Sequence, residues 1–477
     1  MKKDQNRTPL FDAVLGHAKR KMASFHTPGH KNGRSIDTRL KRFSGSNIFF
    51  MDVTVFPDVD SLHHPKGPLK EAQELSAEAF GVKHSFFLVN GSTSGVQAMI
   101  LIACNPGDEI IVSRNTHKSV IGGIILSGAS PIYVTPHMHE KLNLFYDLAP
   151  EQIEKALRRH PKAKAVLISS PTYHGICTDI GKIARIVHKR KKILLVDEAW
   201  GPHLKFHKSL PPSAVDCGAD LVVQSAHKVG SAMSQGSLLQ VNSNAVDMER
   251  AKRIVSMLQS TSPSYIILCS LDLARRQFAK EGKAILGKLL KLLHKAARDI
   301  NRIKGVSCLV KQDLDKGYLL DRTKLSISVR ELGISGHDIS RFLNKKYNIQ
   351  VDCSNVYNII AIAGLGTDKA DLDKLVYALK DIADKYRKAK PLRELPFLPL
   401  ETEMVMTPAD ALARKSEKVS LKKAVGKVSA EIFSMYPPGI PILIPGELIK
   451  KEVCDYLDEL KDVDPDVKGK KVKVVCE

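Results

Sequence analysis

Two residues whose side chains could perform covalent chemistry follow apolar, strand-like stretches of the sequence. Asp197 comes directly after residues 193–196, and Lys228 ends the tetrapeptide Ser-Ala-His-Lys that comes directly after residues 221–224. Burial can lower the pKa of a lysine until its neutral amine attacks a carbonyl carbon. A carboxylate near that amine can pair with the protonated nitrogen of a ring cofactor. The two residues therefore indicate chemistry on a ring compound that carries a carbonyl group.

A third strand-like stretch, residues 85–89, runs into the turn Gly91-Ser-Thr-Ser-Gly95, and a helix-like apolar segment follows. Backbone N–H groups at the start of a helix attract anions, and the hydroxyls of Ser92, Thr93 and Ser94 could add hydrogen bonds to a phosphate. Serine and threonine are also common helix N-caps, so the turn alone leaves a purely structural role open. The turn is not a P-loop, because no Gly-Lys-Ser/Thr follows.

Three further polar residues extend this set. His117 follows the strand-like stretch 109–112, and Ser225 and His227 precede Lys228. A phosphate cradle, an imidazole that can stack on a ring, a strand-end carboxylate and a lysine flanked by polar groups together match what pyridoxal 5′-phosphate requires. We therefore predict this cofactor, with Lys228, Asp197 and His117 as the catalytic residues.

The residues at the strand ends need a scaffold that brings those ends together. Helix-compatible segments separate most of the strand-like stretches, which are 109–112, 131–134, 165–169, 193–196, 221–224 and 237–241. This alternation predicts an α/β fold with a mainly parallel sheet that helices cover on both faces. In such a sheet, ligands bind beyond the carboxyl ends of the strands, which is where the residues named above fall.

Changes in composition predict four segments of the chain. Residues 1–65 form an N-terminal segment with active-site loops, residues 66–305 a large cofactor-binding domain, and residues 306–390 a smaller α+β domain. Proline and charged residues near position 390 indicate a linker before a C-terminal α+β domain, residues 391–477. We expect the basic stretch 468–473 to be frayed.

The composition excludes several classes of protein. The chain has 477 residues, of which 43% are hydrophobic, so it can bury sizeable cores and is not disordered. The absence of a long apolar run or a secretory signal predicts a cytoplasmic protein with no membrane partner. The eight cysteines form no CxxC pair, so we expect reduced thiols and no metal site. The net charge of +22 is spread along the chain without a recognisable motif, which predicts no nucleic-acid partner.

Taken in order along the chain, the motifs resemble the Orn/Lys/Arg decarboxylases of pyridoxal-phosphate fold type I. Within that family the sequence is most similar to the short-chain biosynthetic arginine decarboxylases. The resemblance covers nearly the whole chain and rests on His26-Thr-Pro-Gly-His30-Lys31, on 52–60, 90–95, 114–118, 225–228, 234–237 and 260–263, and on Tyr436-Pro-Pro-Gly439 and Pro445-Gly-Glu447.

The resemblance implies a role for each catalytic candidate. Lys228 is similar to the lysine that binds the cofactor covalently, Asp197 to the partner of the pyridine nitrogen, and His117 to the histidine that stacks on the ring. One departure is Trp200, which stands where many short members have a histidine, and it bears on substrate specificity.

The resemblance also implies contacts to the cofactor phosphate. Thr93, Ser94, Ser225 and His227 match phosphate contacts of the family. Ser260 matches a hydroxyl that, in relatives, reaches the phosphate held by the neighbouring subunit. The family likeness therefore implies a homodimer, or a higher homo-oligomer, with shared active sites.

The activity implied is the decarboxylation of a basic L-amino acid, with arginine to agmatine as the first choice and polyamine synthesis as the expected purpose. Lysine and ornithine, which would give cadaverine and putrescine, stay open. The distal cation of such a substrate needs a carboxylate, and the sequence offers Asp58, Asp60, Asp352 and Glu447 without choosing among them.

Two other functions also stay open. A fold type I aminotransferase or β-eliminating lyase would hold the α-carboxylate of its substrate with an arginine of the small domain, and Arg330 is available for that role. A non-catalytic relative, or a nucleic-acid binder that uses the positive charge, would not need Asp197 and Lys228.

Overall fold

The computed structural model describes residues 3–20, 22–139, 143–394, 399–401, 403–434, 440–461, 467 and 469–476. In these ranges the helices are α1 (Pro9–Lys19), α2 (Thr38–Ser44), α3 (Asn47–Met51), α4 (Pro68–Phe80), α5 (Gly91–Ala103), α6 (Lys118–Ser127), α7 (Pro150–Arg159), α8 (Ile180–Lys189), α9 (Met248–Met257), α10 (Tyr265–Ile300), α11 (Gly336–Tyr347), α12 (Lys369–Tyr386), α13 (Pro408–Ala413), α14 (Leu421–Ala424) and α15 (Lys451–Leu460).

The strands in the same ranges are β1 (His84–Leu88), β2 (Glu109–Ser113), β3 (Ser130–Val134), β4 (Met138–His139), β5 (Leu144–Phe145), β6 (Ala165–Ser169), β7 (Ile176–Cys177), β8 (Ile193–Asp197), β9 (Leu221–Gln224), β10 (Ser237–Val241), β11 (Ser307–Cys308), β12 (Leu319–Leu320), β13 (Lys324–Ser328), β14 (Cys353–Ser354), β15 (Asn358–Ile362), β16 (Ser416–Ser420), β17 (Phe433–Ser434), β18 (Pro441–Leu443) and β19 (Lys471–Val475).

The largest sheet among the described residues has seven strands in the order β1-β10-β9-β8-β6-β2-β3. Strands β9, β8, β6, β2 and β3 run parallel, whereas β10 runs antiparallel to both of its neighbours. The register pairs Ser169, at the end of β6, with Asp197, at the end of β8. The predicted α/β fold with a mainly parallel sheet is therefore confirmed.

Alternate side chains of each central strand enter opposite hydrophobic cores, because successive residues of a strand point to opposite faces. On β2, Ile110 and Val112 pack in a core that also contains side chains of α5, α6 and α9. Ile111, between them, packs instead with α7 and α8. Each such fully buried side chain stabilises the fold by about 1.5–3 kcal/mol. Helices therefore cover both faces of the sheet, and the strand ends are left as the place for a site.

A second sheet is antiparallel, with the order β11-β13-β15-β14. The long helix α10 links it to the larger sheet. Near the start of α10, Tyr265 and Leu268 pack with the N-terminal helices, whereas Leu286 and Leu293 pack against the second sheet together with α11 and α12. The two sheets therefore share one rigid connecting element.

The C-terminal region forms its own core from α14, α15 and the strands β16 to β19. Val472 and Val474 of β19 are buried in it, and β19 pairs with β16. The prediction that the end of the chain is frayed is therefore wrong for residues 471–473, because the alternating valines give that stretch one apolar face. The predicted domain boundaries at 65, 305 and 390 stay a prediction.

None of the described helices combines the length and the apolar character that a membrane span requires. The motif Tyr436-Pro-Pro-Gly439 lies outside the described residues.

Candidate active site

A cavity of about 890 Å³ lies where the parallel strands of the large sheet end. Ser92 follows β1, His117 follows β2, Asp197 ends β8, and Lys228 follows β9. Residues of the second sheet and of the C-terminal region complete the wall, among them Asp352, Ile360, Ile442 and Tyr456. The cavity is therefore bounded by three parts of the fold, and the ends of the strands supply its polar side.

Lys228 is the buried amine of the cavity. Its Nζ atom lies 3.8 Å from the centroid of the Trp200 ring, and its backbone N–H donates to the carbonyl oxygen of Ser225 at 3.2 Å. Burial lowers the pKa of Lys228 to about 8, with the carboxylate of Asp197 opposing that shift and the ammonium group of Lys324 adding to it. A substantial fraction of this amine is therefore neutral, and nucleophilic, near neutral pH.

Asp197 is a buried carboxylate at the end of β8, and its Oδ1 atom accepts a hydrogen bond from the backbone N–H of Ala199 at 3.1 Å. A second carboxylate, Asp147, lies close enough for the two charges to interact. Burial raises the pKa of Asp147 to about 7, although it accepts hydrogen bonds from the backbone N–H groups of Leu148 and Ser169. Sequence analysis missed Asp147, because it follows no strand that pairs in the large sheet.

His117 caps the N-terminus of α6. The backbone N–H of Ser119 donates to Nδ1 of His117 at 3.2 Å, so the proton of the neutral ring lies on Nε2. Burial lowers the pKa of His117, and the nearby Asp197 only partly offsets this effect. The ring is therefore neutral at neutral pH, and it carries one N–H that can be donated.

The structure brings two residues of the predicted phosphate cradle to the cavity, and the cradle itself stays a prediction. Ser92 and His227 line the cavity, and helix α5 begins beside it without a side-chain cap from Asn90. The Oγ atom of Ser225 is buried and has no hydrogen-bond partner among the described residues. A hydroxyl in that position fits a ligand that accepts hydrogen bonds, because an unsatisfied buried donor costs about 1–3 kcal/mol.

Four predicted cofactor contacts lie off the cavity wall of their own chain. Thr93 is exposed, and the hydroxyl of Ser94 donates to the carbonyl oxygen of Gly91 at 2.9 Å. Ser225, three residues before Lys228, is fully buried, and Ser260 is exposed on the surface. For Thr93 and Ser94 the sequence pattern did not reveal this, because adjacent residues at a helix start point in different directions.

Of the four carboxylates considered for the distal cation of a substrate, Asp352 is the one that lines the cavity. The hydroxyl of Tyr173 donates a hydrogen bond to its Oδ2 atom. Asp58 pairs with His17 and Arg20 elsewhere, and Asp60 accepts backbone N–H groups at the start of α4. The strand-end rule could have found Tyr173, which follows β6.

Two arginines have roles that the sequence did not indicate. Arg330, considered as a carboxylate anchor, pairs with Glu394 and lies over the ring of Tyr357, which lines the cavity, but Arg330 itself does not line it. Arg114 is fully buried and donates to the backbone oxygens of Pro441 and Ile442 and to the carboxylate of Glu447. Arg114 thus ties the C-terminal wall of the cavity to the turn that carries His117.

Two family models match this chain: "Orn/Lys/Arg decarboxylase, major domain" over residues 8–371 and "Orn/Lys/Arg decarboxylase, C-terminal domain" over residues 393–474. The arginine decarboxylase of Bacillus subtilis (strain 168) is 40% identical over 98% of this chain and 96% of its own. The arginine decarboxylase of Halalkalibacterium halodurans is 41% identical over 95% of this chain and 94% of its own. A crystal structure of the Francisella novicida lysine decarboxylase LdcF has a TM-score of 0.83 at 22% identity, over 98% of this chain and 81% of that one.

The buried ion pair between Arg114 and Glu447 predicts that removing the charge of Glu447 will strongly destabilise the fold. Glu447→Gln would leave the guanidinium of Arg114 buried without its counter-charge, so we expect the free energy of unfolding to fall by about 3 kcal/mol. Glu394→Gln is the matched control, because Glu394 is 74% exposed in its pair with Arg330 and should lose less than about 1 kcal/mol. Urea denaturation followed by circular dichroism measures both, and equal losses would refute the role of Glu447.

Proposed function

The chain belongs to the Orn/Lys/Arg decarboxylase family and removes CO₂ from a basic amino acid, and we propose that its substrate is L-arginine, which it converts to agmatine. Relatives named arginine decarboxylase, about 40% identical over nearly the whole chain, support arginine. Lysine and ornithine are the alternative substrates. A role in polyamine synthesis stays a prediction.

We further propose that the cofactor is pyridoxal 5′-phosphate. Its fit is supported by the buried, unsatisfied hydroxyl of Ser225, the uncapped start of α5 and the buried amine of Lys228. The residues that would hold it are Lys228 by a covalent bond, Asp197 at the pyridine nitrogen, His117 on the ring face, and Ser92, Ser225 and His227 at the phosphate. When bound, the cofactor supplies an electron-withdrawing ring that stabilises the electron pair left on Cα as CO₂ departs.

The side chains of the cavity control protons and water around that step. Lys228, with a pKa of about 8, can give up its proton and take it back within the working pH range. His117 carries its proton on Nε2 and can return one proton to Cα after CO₂ has left. The apolar side chains of Ile360 and Ile442 line the same cavity and favour loss of the charged carboxylate as neutral CO₂.

Asp352 is our candidate for the distal cation of the substrate. Its carboxylate lines the cavity and interacts electrostatically with Lys228. The hydrogen bond from Tyr173 fixes its orientation, which favours two parallel bonds to a planar guanidinium group.

We also propose that the active site is shared within a homodimer. Ser260 is exposed and does not line the cavity of its own chain, so its hydroxyl is accessible to a second copy. Phe25 and Phe43 are 97% and 92% exposed, which is unusual for phenylalanine and favours cover by a second copy.

The covalent role of Lys228 predicts which variant loses the bound cofactor. Wild-type protein loaded with pyridoxal 5′-phosphate and reduced with borohydride should carry the added mass on the peptide that contains Lys228. Lys228→Ala should carry none and release no CO₂, because no other amine replaces the nucleophile. Lys118→Ala, at a lysine next to His117, is the control and should retain the label. Mass spectrometry counts the cofactor molecules attached per chain. If Lys228→Ala carried as many as the wild type, the assignment would be refuted.

The substrate proposal predicts the products. Wild-type enzyme should release agmatine faster than cadaverine or putrescine when the three substrates are compared by chromatography. Asp352→Asn should lower kcat/KM for arginine about 10-fold, because a charge-assisted hydrogen bond to the distal cation of the substrate is lost. Asp58→Asn, whose carboxylate already pairs outside the cavity, is the matched control. Cadaverine as the main product would overturn arginine, and full activity of Asp352→Asn would overturn the role of Asp352.

The shared site predicts complementation between two inactive chains. Ser260→Glu would repel the phosphate, and Lys228→Ala lacks the nucleophile, so each homodimer should be inactive. A hybrid dimer, purified by two different affinity tags, contains one intact site and should show about half of the wild-type activity. An inactive hybrid, or a fully active Ser260→Glu homodimer, would contradict sharing.

A further inference from the structure

A buried polar cluster lies next to Trp200, outside the set of residues assigned above. It consists of His203, Asp321, Thr323 and Lys324, all of them buried, and we call it the Lys324 cluster. The ammonium group of Lys324 donates to the carboxylate of Asp321 and, at 3.1 Å, to the backbone oxygen of Trp200. The other oxygen of Asp321 accepts from Thr323 and lies 3.2 Å from Nε2 of His203.

Stability alone does not account for this cluster. Burying an ammonium and a carboxylate costs about as much as their attraction returns, and apolar residues of the same volume often serve as well or better. Burial works against the ionised form of Asp321, yet Lys324 and His203 hold its pKa well below the usual range. Asp321 therefore stays charged in the interior, which points to a role for the charge itself.

The Lys324 cluster joins three segments that surround the cavity. His203 lies in the loop after β8, Lys324 begins β13 of the second sheet, and Gly175 lies in the loop that carries Tyr173. Gly175 has φ +88°, and a Cβ atom there would come within 2.7 Å of the backbone oxygen of Asp321. The loop with Tyr173 is thus packed directly on the cluster.

These contacts fix the indole of Trp200. Its backbone oxygen is held by Lys324, the ring of Tyr173 meets it edge-on with centroids 5.2 Å apart, and Nζ of Lys228 lies 3.8 Å from its centroid. Nζ of Lys324 lies 5.6 Å from the same centroid. The two amines therefore share one aromatic ring, one of them in the cavity and the other behind it.

We propose that Lys324 is a positioning residue for the decarboxylation: it holds the backbone oxygen of Trp200, which keeps the indole beside the amine of Lys228, and it places a second positive charge near that ring. The proposal rests on the proposed function in one respect, since it takes Lys228 as the reactive amine. If Lys324 has this role, the electrostatic environment of Lys228 depends on how the second sheet packs against the large sheet.

The charges that face Lys228 determine in which direction its pKa changes when the charge of Lys324 is removed. Asp197 on β8 and Asp352 before β14 favour the ammonium form, whereas Lys324 on β13 favours the neutral amine. Burial lowers the pKa of both His117 and His227, so these two neighbours are neutral near pH 8. Removing the charge of Lys324 should therefore raise the pKa of Lys228 above its value of about 8 and move the neutral amine to higher pH.

Trp200 makes this testable without a cofactor, because it is the only tryptophan in the sequence. In the full-length, cofactor-free protein we expect tryptophan emission to change with an inflection near pH 8, as the amine beside the ring loses its proton. Lys228→Met should abolish that inflection and thereby assign it. Lys324→Met should move the inflection up by about one pH unit. It should also increase quenching by acrylamide, because the backbone of Trp200 loses the hydrogen bond that holds the residue in place.

A second variant covers the case in which Lys324→Met does not fold because Asp321 is left unpaired. The double variant Asp321→Asn/Lys324→Met removes both charges and should still shift the inflection upward, but by less than Lys324→Met, because loss of the Asp321 anion partly offsets loss of the Lys324 cation. The matched control is Asp272→Asn/Arg275→Met, another fully buried pair three residues apart, which lies on α10 and does not contact Trp200. The control should leave the inflection at its wild-type pH.

An unchanged inflection and unchanged quenching in both Lys324 variants would overturn the positioning role, as would an inflection that persists in Lys228→Met. In the holoenzyme the pH profile of kcat/KM should move in the same direction as the fluorescence. Failure of the borohydride experiment would refute the proposed cofactor attachment while leaving the fluorescence result in place, so the two failures are distinguishable.

Discussion

The site depends on one constraint, which is that burial must lower the pKa of an amine towards neutral pH while a carboxylate lies close by. Lys228 and Asp197 meet it because the parallel strands β8 and β9 end at the same edge of the large sheet. Neither residue would be close to the other in a chain without that sheet. Burial sets the direction of the pKa shift of Lys228, and the surrounding charges adjust its size.

Closure of the cavity requires all three parts of the fold. The second sheet contributes Asp352 and, through Lys324, the support of Trp200. The C-terminal region contributes Ile442, and Arg114 holds its backbone next to the turn with His117. Both links use a buried cation that donates to backbone oxygens. Such contacts fix a position rather than add much net stability, because desolvation offsets most of their attraction.

Much of this arrangement was predictable from the sequence. Short apolar runs bounded by polar turns predicted β2, β8 and β9, and the strand-end rule then selected His117, Asp197 and Lys228. Contacts between distant segments were not predictable. Asp352 could not be separated from Asp58, because the difference between them lies in partners such as Tyr173 that are far away in sequence. The alternating valines of β19 were overlooked because the lysines between them suggested a solvated tail.

The central claim is that one amine, that of Lys228, holds the cofactor opposite Asp197. A crystal structure of the protein with pyridoxal 5′-phosphate tests it most directly. The account predicts continuous electron density from Nζ of Lys228 to the cofactor, with the carboxylate of Asp197 within hydrogen-bond distance of the ring nitrogen. Density that joins the cofactor to Lys324 or to any other lysine, or a ring nitrogen facing away from Asp197, would contradict it.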